Sequence, residues 1–300
     1  MQSKIKDFLD FCYDDTESIE FQLFLITIKC LMPYEDNIGC IFDVDRYKKE
    51  IELFSCYMIR NDEIINCRLR HNKPSDSYDE LLEFKIIPLI MSNIVWENTI
   101  GELLKAVAFY TFNKNTILDA ILISSAIYEY MDNIPVESFE ELTKERLINF
   151  SVKDFLTDNH ITAEKNYIIG FEKERIKLIS KPILFDDNTM DKYKSLKYIF
   201  KREAPGENGF NCSVGNEPDS DNNSDNNSDV MNSFSAYLYK LRKGTINPEK
   251  LKISDKIPDI KECLKQPLFN HPLLGRCKVV QRAEKYVIIR NKSGIMRIRI

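Results

Sequence analysis

Between Asp219 and Asp229 the chain reads Asp-Ser-Asp-Asn-Asn-Ser-Asp-Asn-Asn-Ser-Asp, with no apolar side chain in the run. Such a segment has nothing to bury, so it cannot be threaded through a core. With Pro205, Gly206 and Gly209 just before it, the stretch 204–232 reads as a flexible acidic linker. It divides the chain into a longer part, 1–203, and a shorter one, 233–300. A calcium-binding reading of the aspartates lacks the fixed glycine and the closing glutamate of a calcium loop.

The two parts differ in charge. From His271 to Ile300 eight lysines and arginines face Glu284 alone, a net charge of +7 in a chain whose total is −5. An acidic body therefore carries a basic tail. At 43% hydrophobic and 30% charged residues the body has the composition of a globular protein. The N-terminus leads straight into an amphipathic, acid-containing segment, unlike an export signal. Ile86–Trp96 and Ile117–Met131 are too short and interrupted to span a bilayer. The expectation is a cytoplasmic protein with no membrane association. The eight cysteines never fall as Cys-x-x-Cys and the three histidines are scattered, so reduced, mostly buried thiols are expected rather than a zinc site.

Apolar residues recur at helical spacing over Ile5–Cys12, Ile19–Leu31, Val44–Met58, Phe84–Val95, Ile100–Tyr110 and Ile117–Met131. Asp43 stands where an N-cap is needed, and Ser138 to Glu141 has the form of a capping box. Asn166–Phe171 and Ile176–Ser180 are rich in β-branched residues and predict a short β element near 166–180. After the linker, a short helix over Phe234–Leu241 is expected. Alternating segments then surround the Asn291-Lys292-Ser293-Gly294 turn and predict a small antiparallel barrel. The fold class is thus a mainly α-helical bundle with a C-terminal β-barrel, α+β overall.

Chemistry concentrates first at Tyr13-Asp14-Asp15-Thr16, directly before an apolar helix. Adjacent carboxylates with a hydroxyl suit a hard cation such as magnesium, and equally suit helix capping. The order of elements that follows resembles the ADP-ribosylglycohydrolase family over roughly residues 8–150. There an Asp-Asp-Thr sequence opens a long helix, an Asp-started helix comes next (here Phe42 to Phe54), then an Arg-x-x-Pro element (here Lys85-Ile86-Ile87-Pro88). A Thr-His-x-His segment opens the following helix (here Thr111-Phe112-Asn113-Lys114). The resemblance implies magnesium on Asp14, Asp15 and Thr16, catalytic roles for Asp14 and Asp15, and a pocket wall at Lys85, Thr111 and Asn113. It implies ADP-ribose or an ADP-ribosylated protein as ligand.

The family's glycine-rich opening, both histidines and its Gly-Gly-Asp-Thr-Asp-Thr segment have no counterpart here, and Asp186-Asp187-Asn188-Thr189 reads as a loop. The expectation is therefore a degenerate, non-catalytic interaction or ADP-ribose-binding module. An active magnesium-dependent ADP-ribosyl hydrolase is the alternative. His271 to Val280 in turn resembles the opening of the Tudor-like or SH3-like barrel that ends some bacterial helicases. Its implied role is docking, on a protein or on nucleic acid, through Arg276, Lys278, Arg290, Arg297 and Arg299.

Overall fold

The computed structural model describes residues 1–35, 38–58, 62–184, 187–203, 224–247, 257–292 and 294–300. Helices α1 (Gln2–Cys12) and α2 (Ile19–Lys29) lead into a hairpin of β1 (Leu31–Pro33) and β2 (Cys40–Phe42). Then come α3 (Val44–Phe54), α4 (Glu63–His71), α5 (Leu82–Ser92), α6 (Trp96–Tyr110) and α7 (Lys114–Met131). A 3-10 turn, Val136–Ser138, precedes α8 (Phe139–Asn149), α9 (Val152–Asp158), α10 (Lys165–Ile179), α11 (Asp187–Lys192) and α12 (Lys194–Glu203). The last elements are α13 (Ser224–Arg242), α14 (Ile260–Cys263) and strands β3 (Leu268–His271), β4 (Gly275–Arg282), β5 (Tyr286–Asn291) and β6 (Gly294–Arg299).

Helix α5 is the axis of the helical body. All eleven of its residues are buried, and α2, α6, α7 and α13 pack around it. A helix enclosed on every side can be apolar all round, which Phe84, Ile86, Ile87, Leu89, Ile90 and Met91 provide. Pro88 interrupts its hydrogen-bond ladder: without an N–H, proline leaves the carbonyl four residues earlier unpaired. That carbonyl belongs to Phe84, and the buried Tyr13 hydroxyl donates to it at 3.1 Å. Asp43 caps α3 as its position implies, accepting from the Arg46 N–H at 2.9 Å. Gly39 turns the β1–β2 hairpin at φ +111°, where an added Cβ would lie 2.4 Å from Asn93 Oδ1. That oxygen accepts from the Cys40 N–H.

Several expectations are corrected. Residues 166–180 form no β element but lie within α10. Tyr167, Ile168, Phe171, Leu178 and Ile179 turn toward the core at helical spacing, which outweighs the β-branched local preference. Ser138 sits in a helical conformation with no side-chain cap bond, because the 3-10 turn runs straight into α8. A capping box needs an extended N-cap residue. Asp187-Asn188-Thr189 opens α11 rather than a loop.

Of the expected linker, residues 204–223 lie outside the described residues, while Ser224 onward belongs to α13. Met231, Leu238 and Leu241 of α13 join the same core as Phe8, Phe24 and Ile87. The helical body is therefore built from both sides of the polar run.

The four C-terminal strands form an antiparallel meander in the order β3-β4-β5-β6. The expected barrel does not close: the sheet is open. Its apolar face, with Phe269, Cys277, Val287, Ile289 and Ile298, is covered instead by Leu53, Cys56 and Tyr57 at the end of α3, and by Ile260 and Leu264 beside α14. The Arg299 N–H donates to the Cys56 carbonyl at 2.8 Å, tying β6 to the body. A sheet that rests on another element has no need to curl on itself. Among the described residues no helix is long and apolar enough to cross a membrane, and seven cysteines are free thiols.

Candidate docking face of the C-terminal sheet

The register of the sheet sorts its side chains. Lys278 pairs with Arg290 and Arg290 with Ile295; Ile288 pairs with Arg297, and Tyr286 with Arg299. Residues directly opposite one another share a face, as do residues two apart on one strand. Arg276, Lys278, Arg290, Arg297 and Arg299 therefore lie together with Tyr286 on the face turned away from the body. All five basic residues are exposed. Each expected docking residue is thus on one surface, which alternation along each strand implied and strand pairing decided.

This surface has a definite pattern. A row of Leu268, Lys278, Arg290 and Ile295 crosses all four strands, with Leu268 47% and Ile295 61% exposed at its ends. The Arg297 guanidinium lies over the Tyr286 ring, 4.4 Å from its centroid. None of the five cations has an ion-pair partner among the described residues. Like charges directly opposite, as in Lys278 and Arg290, oppose sheet formation rather than assist it.

The acidic motif near the N-terminus is organised differently. Asp14 and Asp15 are exposed. The Lys194 ammonium donates to Asp14 Oδ1 at 2.7 Å, and this bond holds the carboxyl below its ordinary pKa. Asp15 Oδ1 accepts from the Glu17 N–H at 2.8 Å, and its carbonyl accepts from the Ser18 hydroxyl at 2.6 Å. The N-cap of α2 is Ser18, not Asp15 or Thr16. Magnesium demands a near-octahedral shell of oxygen ligands. The Lys194 ammonium already stands against Asp14, so a cation bound there would have to displace it. Among the described residues no group of three or more His, Cys, Asp or Glu side chains could hold a metal.

Lys85, Thr111 and Asn113 are brought together, around the segment 75–79. Lys85 donates to the Asp79 carboxylate at 2.6 Å and lies over the Tyr110 ring at 4.1 Å. The Thr111 hydroxyl bridges the carbonyls of Ser75 and Ser77, at 3.1 and 2.7 Å. Asn113 caps α7 through the N–H groups of Asn115 and Thr116 and donates to the Asp76 carbonyl at 2.8 Å. Lys85 and Thr111 are buried, and the polar groups of all three pin this segment against α7.

Sequence reasoning missed two constellations. Tyr78 and Tyr193 both donate to Asp119 Oδ2, at 2.7 and 2.6 Å, and Lys192 joins them at 2.9 Å. Burial, then the Asp119 charge, pushes both phenol pKa values up. Tyr78, Asp119 and Lys192, with Lys177 and Lys181, line a cavity of about 430 Å³. Glu83, inside the apolar α5, accepts from the Lys194 and Ser195 N–H groups at 3.0 Å each and so caps α12. The partners come from distant parts of the chain, so no local pattern marks them. No family model matches the chain, and no curated protein matches it.

Proposed function

We propose that this chain is a non-catalytic interaction protein, a helical scaffold that presents the outer face of its C-terminal sheet to an acidic segment of another protein. The observation that carries the reading is the clustering on a single sheet face of five exposed cations that have no ion-pair partner among the described residues. Such a cluster raises the energy of the free protein by self-repulsion and is relieved by a partner of opposite charge. Leu268 and Ile295 at the two edges supply apolar anchors beside the charges, which suits a peptide chain. A surface for single-stranded nucleic acid uses several stacking aromatics, and this face offers Tyr286 already covered by Arg297.

The test is fluorescence anisotropy with a labelled peptide of alternating Glu and Leu and with a labelled single-stranded oligonucleotide. The peptide is expected to bind more tightly, and more weakly as salt rises. Charge reversal at Lys278, Arg290 and Arg297 removes three exposed pairs of about 0.5 kcal/mol each, so affinity falls about tenfold. Tighter binding of the oligonucleotide would overturn the choice of a protein partner.

The resemblance to ADP-ribosylglycohydrolases supports a second reading, ADP-ribose binding or hydrolysis at Asp14, Asp15 and Thr16. Calorimetric titration of ADP-ribose with and without magnesium separates the two readings. Magnesium-dependent binding that is lost in an Asp14→Ala, Asp15→Ala variant favours the second.

A further inference from the structure

A groove of about 810 Å³ opens between α6, α7, α8 and α9, away from the sheet and from the acidic N-terminal motif. Its size is in the range of specific ligand pockets, ~300–1,000 Å³. The floor is apolar: Ile100 and Leu104 of α6, Ile121 of α7 and Phe155 of α9. One wall is Trp96, whose ring is stacked by the Arg146 guanidinium at 3.8 Å. The rim is acidic, with Glu97, Glu145, Asp154 and Asp158 all exposed.

The charge balance of this groove points outward. Its two cations are committed to acids of the fold: Lys105 lies 2.7 Å from Glu102, and Arg146 pairs with Glu129 and donates to Ser125 Oγ at 2.8 Å. The four rim carboxylates have no ion-pair partner among the described residues. Helix termini do not account for all of them either. Asp158 ends α9, where the helix dipole disfavours a carboxylate, and Glu145 sits in the middle of α8.

Gly101 is the second observation. It stands inside α6 and lines the groove, where a glycine costs about 1 kcal/mol of helix stability relative to alanine. A Cβ added there would meet nothing within 4 Å, so no packing among the described residues requires the glycine. Its effect is to leave open space where a side chain would project at the groove's lining.

We infer that this groove binds a cationic amphipathic segment of a partner protein, apolar side chains on the floor and lysines or arginines against the four rim carboxylates. The site is independent of the basic sheet face, so the chain would hold partners of opposite charge on two surfaces.

Trp96 is the only tryptophan in the chain, so its emission reports this groove. The experiment titrates the full-length protein with an amidated fourteen-residue synthetic peptide of leucines and lysines in helical amphipathic order. The comparison is a peptide of the same composition in scrambled order. Saturable binding that shifts Trp96 emission is expected, with the scrambled peptide about tenfold weaker. A Glu145→Gln, Asp154→Asn, Asp158→Asn variant and a Gly101→Leu variant should each lose about tenfold in affinity. The first removes charge from exposed positions and the second fills the groove, so they fail for different reasons. Circular dichroism and thermal unfolding confirm that both fold.

Equal binding of the two peptides, or undiminished affinity in both folded variants, would overturn the proposal. So would sedimentation showing that the protein self-associates and that these substitutions abolish it, since the occupant would then be a second copy.

Discussion

Tyr13 and Pro88 are 75 residues apart in sequence and explain one another. Proline frees the Phe84 carbonyl inside a helix that is buried along its whole length, and the Tyr13 hydroxyl is the group that reaches it. Tyr13→Phe should therefore cost about 1–3 kcal/mol, the penalty of an unsatisfied buried acceptor. In a Pro88→Ala background the residue at 88 regains its N–H, and the cost of Tyr13→Phe should shrink. Urea denaturation of the four proteins checks this, and an unchanged cost in the double variant would sink it.

The Lys85–Asp79 pair offers a second case, with both side chains 3% exposed. Lys85→Ala leaves Asp79 charged, buried and without its cation, and should destabilise by about 3–5 kcal/mol. A Lys85→Met, Asp79→Asn double variant should recover most of that loss. Neither role could be read from the sequence, where Lys85 looked like a pocket residue and Tyr13 like the approach to a metal motif. Each partner is fixed only when distant segments are packed together.

At the level of elements, helix termini were legible in part. Asp43 caps α3 where the sequence placed it, Ser138 makes no cap bond, and Asn113, expected in a pocket wall, caps α7 while also holding the Asp76 carbonyl. Asn113→Ala should cost about 0.5–2 kcal/mol in thermal or denaturant unfolding. Asn113→Asp keeps the cap acceptor and should lose only the bond to Asp76.

The C-terminal sheet carries a pH dependence. His271 is buried; its Nδ1 accepts from the Leu273 N–H at 3.3 Å and Nε2 faces the Pro258 carbonyl at 3.1 Å. Burial lowers its pKa below the ordinary value of about 6.5, against a smaller raising effect of the Pro258 carbonyl. Below about pH 6.5 the unfolded chain then binds the proton better than the folded one. This contribution to stability is complete above that pH and is lost as the pH falls toward and through the lowered folded value. After correction for the intrinsic pH dependence of exchange, amide protection in β3–β6 should fall between pH 7 and pH 5, and His271→Gln should flatten that change. Equal pH dependence in the variant would refute the assignment.

The whole molecule combines a helical body, built from both sides of a polar run, with an open sheet that rests on it. The composition of that run, the helical periodicity of residues 1–149 and the alternation in the last thirty residues are properties of short windows. They are legible because burial of one face and the absence of anything to bury are local facts. The sequence by itself thus determined that most of the body is helical, where most of its early helices lie, and that basic side chains alternate with apolar ones in the tail strands. Tertiary structure alone decided the rest. It made 165–179 a helix, because an apolar stripe at helical spacing had a core to meet. It returned α13 to the core around α5, and it left the sheet open because α3 and α14 cover its apolar face. It also spent Lys85, Thr111 and Asn113 on holding a neighbouring segment, and gathered four carboxylates from three helices around one apolar groove. These outcomes depend on which surfaces meet across long sequence separations, and no short window of the chain contains that information.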